Sequence, residues 1–340
     1  MSKDRVAIFG GSGYVGDAVS RFMKEEFEVA VADIRPPRSL QGVEFVECDV
    51  RDFGQVRRAL SGAAAALYFS VIQIPQINAE KRLGYEVNVL GLQNVCEAAL
   101  QTPSTKGVLH SGTWHVFGER GLSGIIDESF GFRPDKVEDR AKVYTLCKIV
   151  QECVVRLYDE MGASAGKKYG VIRMGTVLGE NMSEQTAAAL FIKNGLNGKP
   201  LTPYTSSMHR PMLYVDIIDI CRSCASFVRK LLKDEGSRRE EGIPRIVNLV
   251  WPEPITVLEL ANLVKDAIKE KTSGRIDPLI EVKDTGDQPY FAPGDKNKFK
   301  VDPRKAKEFL GSEVLTNPRA SIRRIVEKQI AAGRIAVSSS

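Results

Sequence analysis

Tyr144 and Lys148 stand four residues apart in Tyr144-Thr145-Leu146-Cys147-Lys148. On a helix, that spacing puts both side chains on one face, one turn apart. A phenol with an ordinary pKa of about 10 is a poor base at neutral pH. A neighbouring ammonium, or a cationic ring bound beside it, stabilises the phenolate and lowers that value. The Tyr144 oxygen can then take the proton of a substrate hydroxyl while hydride leaves the same carbon, or run the reverse. The spacing alone recurs by chance, so a third group must hold the reacting oxygen. The run 108–118, V-L-H-S-G-T-W-H-V-F-G, offers the Thr113 hydroxyl, with Ser111 as the other candidate.

A site for the hydride acceptor is legible near the N-terminus. Gly10-Gly11-Ser12-Gly13-Tyr14-Val15-Gly16 is a G-x-x-G-x-x-G turn between a strand-like run and a helix-like one. Glycines there permit a tight turn and close backbone approach to a pyrophosphate, and the helix start supplies free N–H groups. Asp33 follows at the end of the second strand-like run, 17 positions after Gly16. A carboxylate there accepts both hydroxyls of an adenosine ribose and repels a 2′-phosphate, which favours NAD over NADP. Arg35 and Arg38 soften that preference, and Ile34 lies between them and Asp33. Asp49-Val50 follows the third strand-like run. Asp49 suits the adenine edge or, equally, the cap of the next helix.

The elements that must position these groups alternate. Strands are expected at 6–9, 27–33, 43–48, 64–69, 107–110 and 169–173, and helices at 13–25, 53–60, 83–99 and 139–161. That rhythm predicts an α/β fold of right-handed βαβ units with a parallel sheet covered on both faces. Beyond it, helices are expected at 186–197, 215–232 and 257–270, and strands at 213–215 and 246–249. A polar loop is expected at 234–242, residues 271–312 should wrap the surface near a cleft, and 338–340 should fray.

Composition closes other routes. The 340 residues are 43% hydrophobic and 27% charged, with a formal charge of +5. The basic run 296–307 is interrupted by acids and reads as a solvated surface rather than a nucleic-acid site. No run approaches the roughly 20 apolar residues of a membrane span. The start of the chain has no leader pattern, and the six cysteines show no framework spacing, so a cytoplasmic location is expected. Cys221 and Cys224 read as a buried helix face, and no metal site is expected. His110 reads as a satisfied core residue, and His115 and His209 as pocket residues. Hydrolase, zincin and NTPase motifs are absent.

Together the motifs resemble the extended short-chain dehydrogenase/reductase family of NAD-dependent epimerases and dehydratases, over residues 5 to about 311. Asn88-Val89-x-Gly91-Leu92-x-Asn94-Val95 is similar to the family's N-V-x-G-T-x-N-V helix. Val171-Ile172-Arg173 with Val177-Leu178-Gly179, Arg210 to Asp216, and Val247-Asn248-Leu249 match further segments. The resemblance implies a doubly wound Rossmann domain over 1–175, with 212–252 partly returning to it. A smaller substrate unit would comprise 176–211 and 253–330, with a tail at 331–340. It places Phe69, Ser70, Asn88 and Ser111 beside the cofactor, and Trp114, His115, Thr176, His209 and Arg210 near substrate. It also implies a homodimer through the helices at 83–99 and 139–161.

Family dehydratases carry Asp-Glu where Trp114-His115 stands, so elimination is not expected. Two readings remain: a nucleotide-sugar 4-epimerase holding a UDP- or dTDP-sugar diphosphate on Arg210, and a dehydrogenase or ketoreductase on a non-nucleotide alcohol. Against the first, Gly294-Asp295 lacks the family's preceding arginine, and Phe69 to Ile72 replaces small residues with core or a less polar pocket wall. A non-enzymatic cofactor sensor on the same fold is disfavoured by the intact Thr113, Tyr144 and Lys148.

Overall fold

The computed structural model describes residues 3–38, 41–233, 246–310 and 314–333; the loop expected at 234–242 and the tail beyond 333 lie outside them. The chain opens with β1 (Arg5–Phe9), α1 (Tyr14–Met23), β2 (Glu28–Asp33), β3 (Glu44–Glu47), α2 (Phe53–Ala59) and β4 (Ala65–Tyr68). Then come α3 (Gln76–Ala79), α4 (Lys81–Tyr85), a π turn (Glu86–Leu90), α5 (Gly91–Gln101), β5 (Gly107–Thr113), β6 (Gly124–Ile126) and α6 (Lys142–Gly162). Next are β7 (Lys168–Met174), β8 (Thr176–Leu178), α7 (Ala187–Leu196), β9 (Pro211–Met212), β10 (Tyr214–Asp216) and α8 (Ile217–Lys233). The remainder holds β11 (Ile246–Leu249), β12 (Ile255–Thr256), α9 (Val257–Lys271), β13 (Phe299–Val301), α10 (Arg304–Leu310) and α11 (Pro318–Ala331).

Seven strands form one parallel sheet in the order β3-β2-β1-β4-β5-β7-β11. Strands covered on both faces bury every residue, which is why β1 and β4 read as unbroken apolar runs. Val6 and Ile8 join one core with Val19, Met23, Ile220 and Phe227 from α1 and α8. Ala7 and Phe9 join the other with Val56, Leu92, Cys96 and Val155 from α2, α5 and α6. The order in which strands are added switches sides between β1 and β4, and the crevice beyond their carboxyl ends is where such sheets bind ligands.

A third core joins α7, α9 and α11 to the parallel pair β8-β10. Its helix α9 starts with a capping box, Thr256 and Glu259 exchanging hydrogen bonds. Residues 304–310, expected in the smaller unit, instead pack on α8 and β11, with Phe309 against Phe227. The short parallel pair β6-β13 and the helix α11 were not anticipated. Strand β5 runs three residues past its expected end because Ser111, Gly112 and Thr113 pair with Ile172, Arg173 and Met174.

Candidate active site

The glycine turn is as tight as its sequence demands. Gly10 sits at a φ of 74°, and a Cβ there would lie 2.4 Å from the Ser70 nitrogen. A Cβ on Gly16 would lie 2.2 Å from the Gly10 carbonyl oxygen. Gly13 is different: it is exposed, and its Cβ would meet only the Gly10 oxygen, at 3.3 Å. Gly13 caps α1 without a side-chain hydrogen bond, so the helix start offers N–H groups and partial positive charge to an anion. Asp33 braces the turn, accepting from the Ser12 N–H at 3.1 Å and from the Arg35 N–H at 3.3 Å. Ile34 beside it, just past the end of β2, is an apolar residue 59% exposed. An uncapped helix start, a space left where a Cβ would project, and a carboxylate at the strand end together fit a dinucleotide.

Several expected cofactor neighbours contribute only indirectly. The Tyr14 side chain packs between two cores and Val15 packs into one, which leaves their main-chain N–H groups for the anion. Phe69 is core, and Ser70 meets the turn through its backbone. Asp49 is not the cap of α2: it holds Arg51 in a fork at 3.0 and 2.6 Å, while Asp52 caps the helix on Gln55. Asn88 is fully buried in the π turn, and its amide pins both backbone groups of Ile72, at 2.7 and 3.1 Å. It shapes the loop after β4 rather than presenting its side chain to the cofactor.

The chemical residues converge at the carboxyl end of β5. Lys148 is 3% exposed and donates to the Ser111 carbonyl at 2.7 Å, so Ser111 acts here through its backbone. Burial lowers the Lys148 pKa to about 7. Its ammonium nitrogen lies 5.9 Å from the centre of the Tyr144 ring. Tyr144 is pushed up to about 12 by burial, against a hydrogen bond with Thr113 that lowers it. The expectation that Lys148 depresses the phenol is therefore not met in the protein alone, because burial penalises both charges.

Thr113 is bound to His115 as well as Tyr144. Its hydroxyl lies 3.0 Å from His115 Nδ1, and His115 Nε2 lies 3.2 Å from Glu119 Oε1. The same Glu119 oxygen accepts from Arg210 at 2.6 Å, and Arg210 reaches Glu138 at 2.9 Å. Burial raises the Glu119 pKa, but the His115 hydrogen bond and the Arg210 charge outweigh it and hold the group at about 2. Arg210 is thus buried between two carboxylates, not free to meet a diphosphate as expected. Trp114, expected at the substrate, is 1% exposed and belongs to the core formed with Val116, Phe117, Leu213 and Val250. Thr176 opens β8 and His209 sits half-buried in the turn before β9.

Two groups escaped the sequence reading. Glu119 lies four residues after His115, a spacing that could have suggested the pair, whereas Glu138 carries no local signal. His110 is core, as expected, but not satisfied: neither ring nitrogen has a partner, and burial with the Lys148 charge pushes its pKa well below the usual value. Cys221 and Cys224 are free thiols on the buried face of α8. Among the described residues there is no cluster able to hold a metal and no helix long and apolar enough to cross a membrane.

The chain is 23% identical over 315 residues to UDP-glucuronate 4-epimerase 4 of Arabidopsis thaliana, covering 84% of this chain and 68% of that protein. It is 29% identical over 153 residues to the decarboxylating sterol-4-alpha-carboxylate 3-dehydrogenase of Bos taurus, covering 44% and 41%. The solved UDP-glucose 4-epimerase of Thermus thermophilus, complexed with NAD, has the same fold at a TM-score of 0.73 and 23% identity, covering 96% of this chain and 99% of that one. The model of the NAD dependent epimerase/dehydratase family matches residues 6–236. A match over that much of the chain, taking in the glycine turn and the Tyr144 helix, makes this protein a member of the NAD-dependent epimerase/dehydratase family.

Proposed function

We propose that the protein interconverts epimers at a secondary alcohol of a nucleotide sugar, as a 4-epimerase. The observation that carries the reading is the gathering of Thr113, Tyr144 and Lys148 at the carboxyl end of β5, with β4 between it and the strand that feeds the glycine turn. NAD, when bound, supplies the hydride acceptor and a positive ring. Thr113 holds the reacting oxygen against Tyr144, and the Tyr144 oxygen takes its proton and later returns it. Lys148, fixed by the Ser111 carbonyl, stands ready to hold a ribose hydroxyl and sets the local potential. The enclosing side chains exclude water from the exchange.

A second reading, a dehydrogenase acting on a less polar alcohol with exchangeable NAD or NADP, is favoured by one observation. The Arg210 charge is already spent on Glu119 and Glu138. One measurement separates the two: denature the purified protein and assay the released nucleotide. Near-stoichiometric NAD supports the epimerase. No NAD, with NADH formed on adding NAD and a simple alcohol, sinks it. Tyr144→Phe should abolish turnover under either reading, and retained activity would remove the mechanism.

Two context readings accompany the function. Tyr85, Leu90, Leu146, Val150, Leu157 and Met161 are large apolar residues left exposed on neighbouring α4, the π turn and α6. Exposed apolar residues on neighbouring elements support a homodimer through this face. Six free cysteines, five of them buried, suit a reducing compartment such as the cytoplasm.

A further inference from the structure

The hydrogen bonds around Thr113 have a direction, and one residue sets it. Glu119 is an ionised carboxylate, so it can only accept. His115 Nε2, 3.2 Å away, must therefore carry a proton. In the neutral imidazole, Nδ1 is then an acceptor. The Thr113 hydroxyl, 3.0 Å from that nitrogen, has one proton, and it points at Nδ1. Its oxygen is left to accept, from the His115 backbone N–H at 3.4 Å and from the neutral Tyr144 hydroxyl; the Thr113 bond lowers the Tyr144 pKa when Thr113 turns to donate to the phenolate. The chain runs one way: Tyr144 O–H to Thr113, Thr113 O–H to His115, His115 N–H to Glu119.

The geometry points to a proton relay in which His115, seated on Glu119, takes the Tyr144 proton through the Thr113 hydroxyl. The Tyr144 O–H bond breaks and its proton passes to the Thr113 oxygen. The Thr113 O–H bond breaks in turn and an N–H bond forms at His115 Nδ1. Tyrosinate and imidazolium replace two neutral groups, and Glu119 stays charged throughout. The imidazolium then donates from both nitrogens, so Thr113 reverses and donates toward the Tyr144 oxygen or the substrate oxygen beside it.

The relay answers a need that Lys148 does not meet. In the protein alone burial holds the phenol at about 12 and the ammonium at about 7, so that pair does not supply a tyrosinate near neutrality. His115 offers an acceptor already seated on an ionised carboxylate, which stabilises the imidazolium where it forms. The groups facing it are Thr113 from β5, Tyr144 from α6, with Lys148 one turn further, and Glu119, itself paired with Arg210 and, through it, with Glu138. The His115 and Tyr144 rings meet edge to face with centroids 6.1 Å apart. His115 acts through Thr113 and is a positioning residue in this scheme.

The test needs no substrate. With only three histidines, the 15N resonances of His115 can be assigned by comparison with His115→Asn. The 13Cζ resonance of Tyr144 is assigned with Tyr144→Phe. As pH falls, the Tyr144 signal should step at the midpoint of His115 titration. The step should survive in Thr113→Ser and vanish in Thr113→Val, whose own His115 still titrates. No step in the wild type, or a step that persists in Thr113→Val, overturns the relay; a merely structural His115 gives one of those two results. A kinetic arm rests on the function proposed above and uses UDP-galactose as probe. His115→Asn should lose about 100-fold in kcat and flatten the acidic limb of the pH profile, the lower end of what a positioned acid–base group contributes. An unchanged acidic limb in that variant also overturns the relay. Wild-type protein that ignores UDP-galactose but shows the coupled step loses its substrate assignment and keeps its relay.

Discussion

Gly13 and Gly16 look equivalent in the sequence, yet the structure gives them opposite sensitivities to one added methyl group. At Gly16 the methyl carbon would stand 2.2 Å from the Gly10 carbonyl oxygen, 2.8 Å from the Gly11 Cα and 2.9 Å from the Gly10 carbonyl carbon. All three are backbone, so the β1–α1 turn itself must move. Such overpacking costs about 1–3 kcal/mol or more, against about 1 kcal/mol regained from helix propensity. At Gly13 the backbone has a φ of −74° and a ψ of 171°, open to any residue, and the methyl meets a single atom at 3.3 Å. Loss of the favoured cap glycine, about 0.5–1 kcal/mol, is offset by a stiffer unfolded chain, about 0.4–1 kcal/mol. Gly13→Ala should therefore melt within about 2 °C of wild type, while Gly16→Ala should melt several degrees lower. The methyl of Gly13→Ala projects into the space left at the start of α1, where backbone must approach the pyrophosphate. NAD affinity should fall by at least about tenfold, or about 1.4 kcal/mol. Circular-dichroism melts and calorimetric titration of cofactor-free protein read the two quantities. A Gly13→Ala protein that binds NAD as tightly as wild type would refute the cradle, and an unshifted Gly16→Ala melt would refute the close packing.

Two further outcomes follow from single contacts. Asn88→Ala orphans both backbone groups of Ile72 in a fully buried place, at about 1–3 kcal/mol for each unsatisfied group; a urea midpoint within about 0.5 kcal/mol of wild type would show that the loop does not depend on it. Leu157→Glu, at a residue 54% exposed on α6, should halve the mass seen by light scattering without lowering the melting temperature; an unchanged mass would move the dimer face elsewhere, or remove it if wild type is already a monomer.

What could be read from the sequence was what the backbone constrains locally. The glycine turn, Asp33 at a strand end and the i, i+4 pair of Tyr144 and Lys148 are statements about spacing, and spacing survives folding. Direction and partnership do not have that property. Trp114 could be read as a pocket wall because a large amphipathic ring suits either side of a surface; only the packing of the turn after β5 with Leu213, Val250 and β13 in one cluster decides for the core. Arg210 read as a free cation because its partner Glu119 is 91 residues away. His110 read as satisfied because buried imidazoles usually are, and its want of a hydrogen-bond partner appears only once the chain is folded around β5. The helix over 83–99 was legible as a helix, but not its π turn, which depends on the loop that Asn88 must reach.

These long-range pairings also decide where charge can settle during the reaction. On the sheet side, Lys148 is held by a neutral carbonyl and faces a neutral imidazole, so burial governs its protonation. On the other side, Glu119 keeps its charge because Arg210 and His115 surround it. A proton leaving Tyr144 toward Lys148 would place a new cation beside a neutral carbonyl and an unprotonated imidazole. A proton leaving through Thr113 arrives instead beside a carboxylate held at about 2, which stabilises the imidazolium where it forms. The proton is then stored beside an anion rather than beside Lys148.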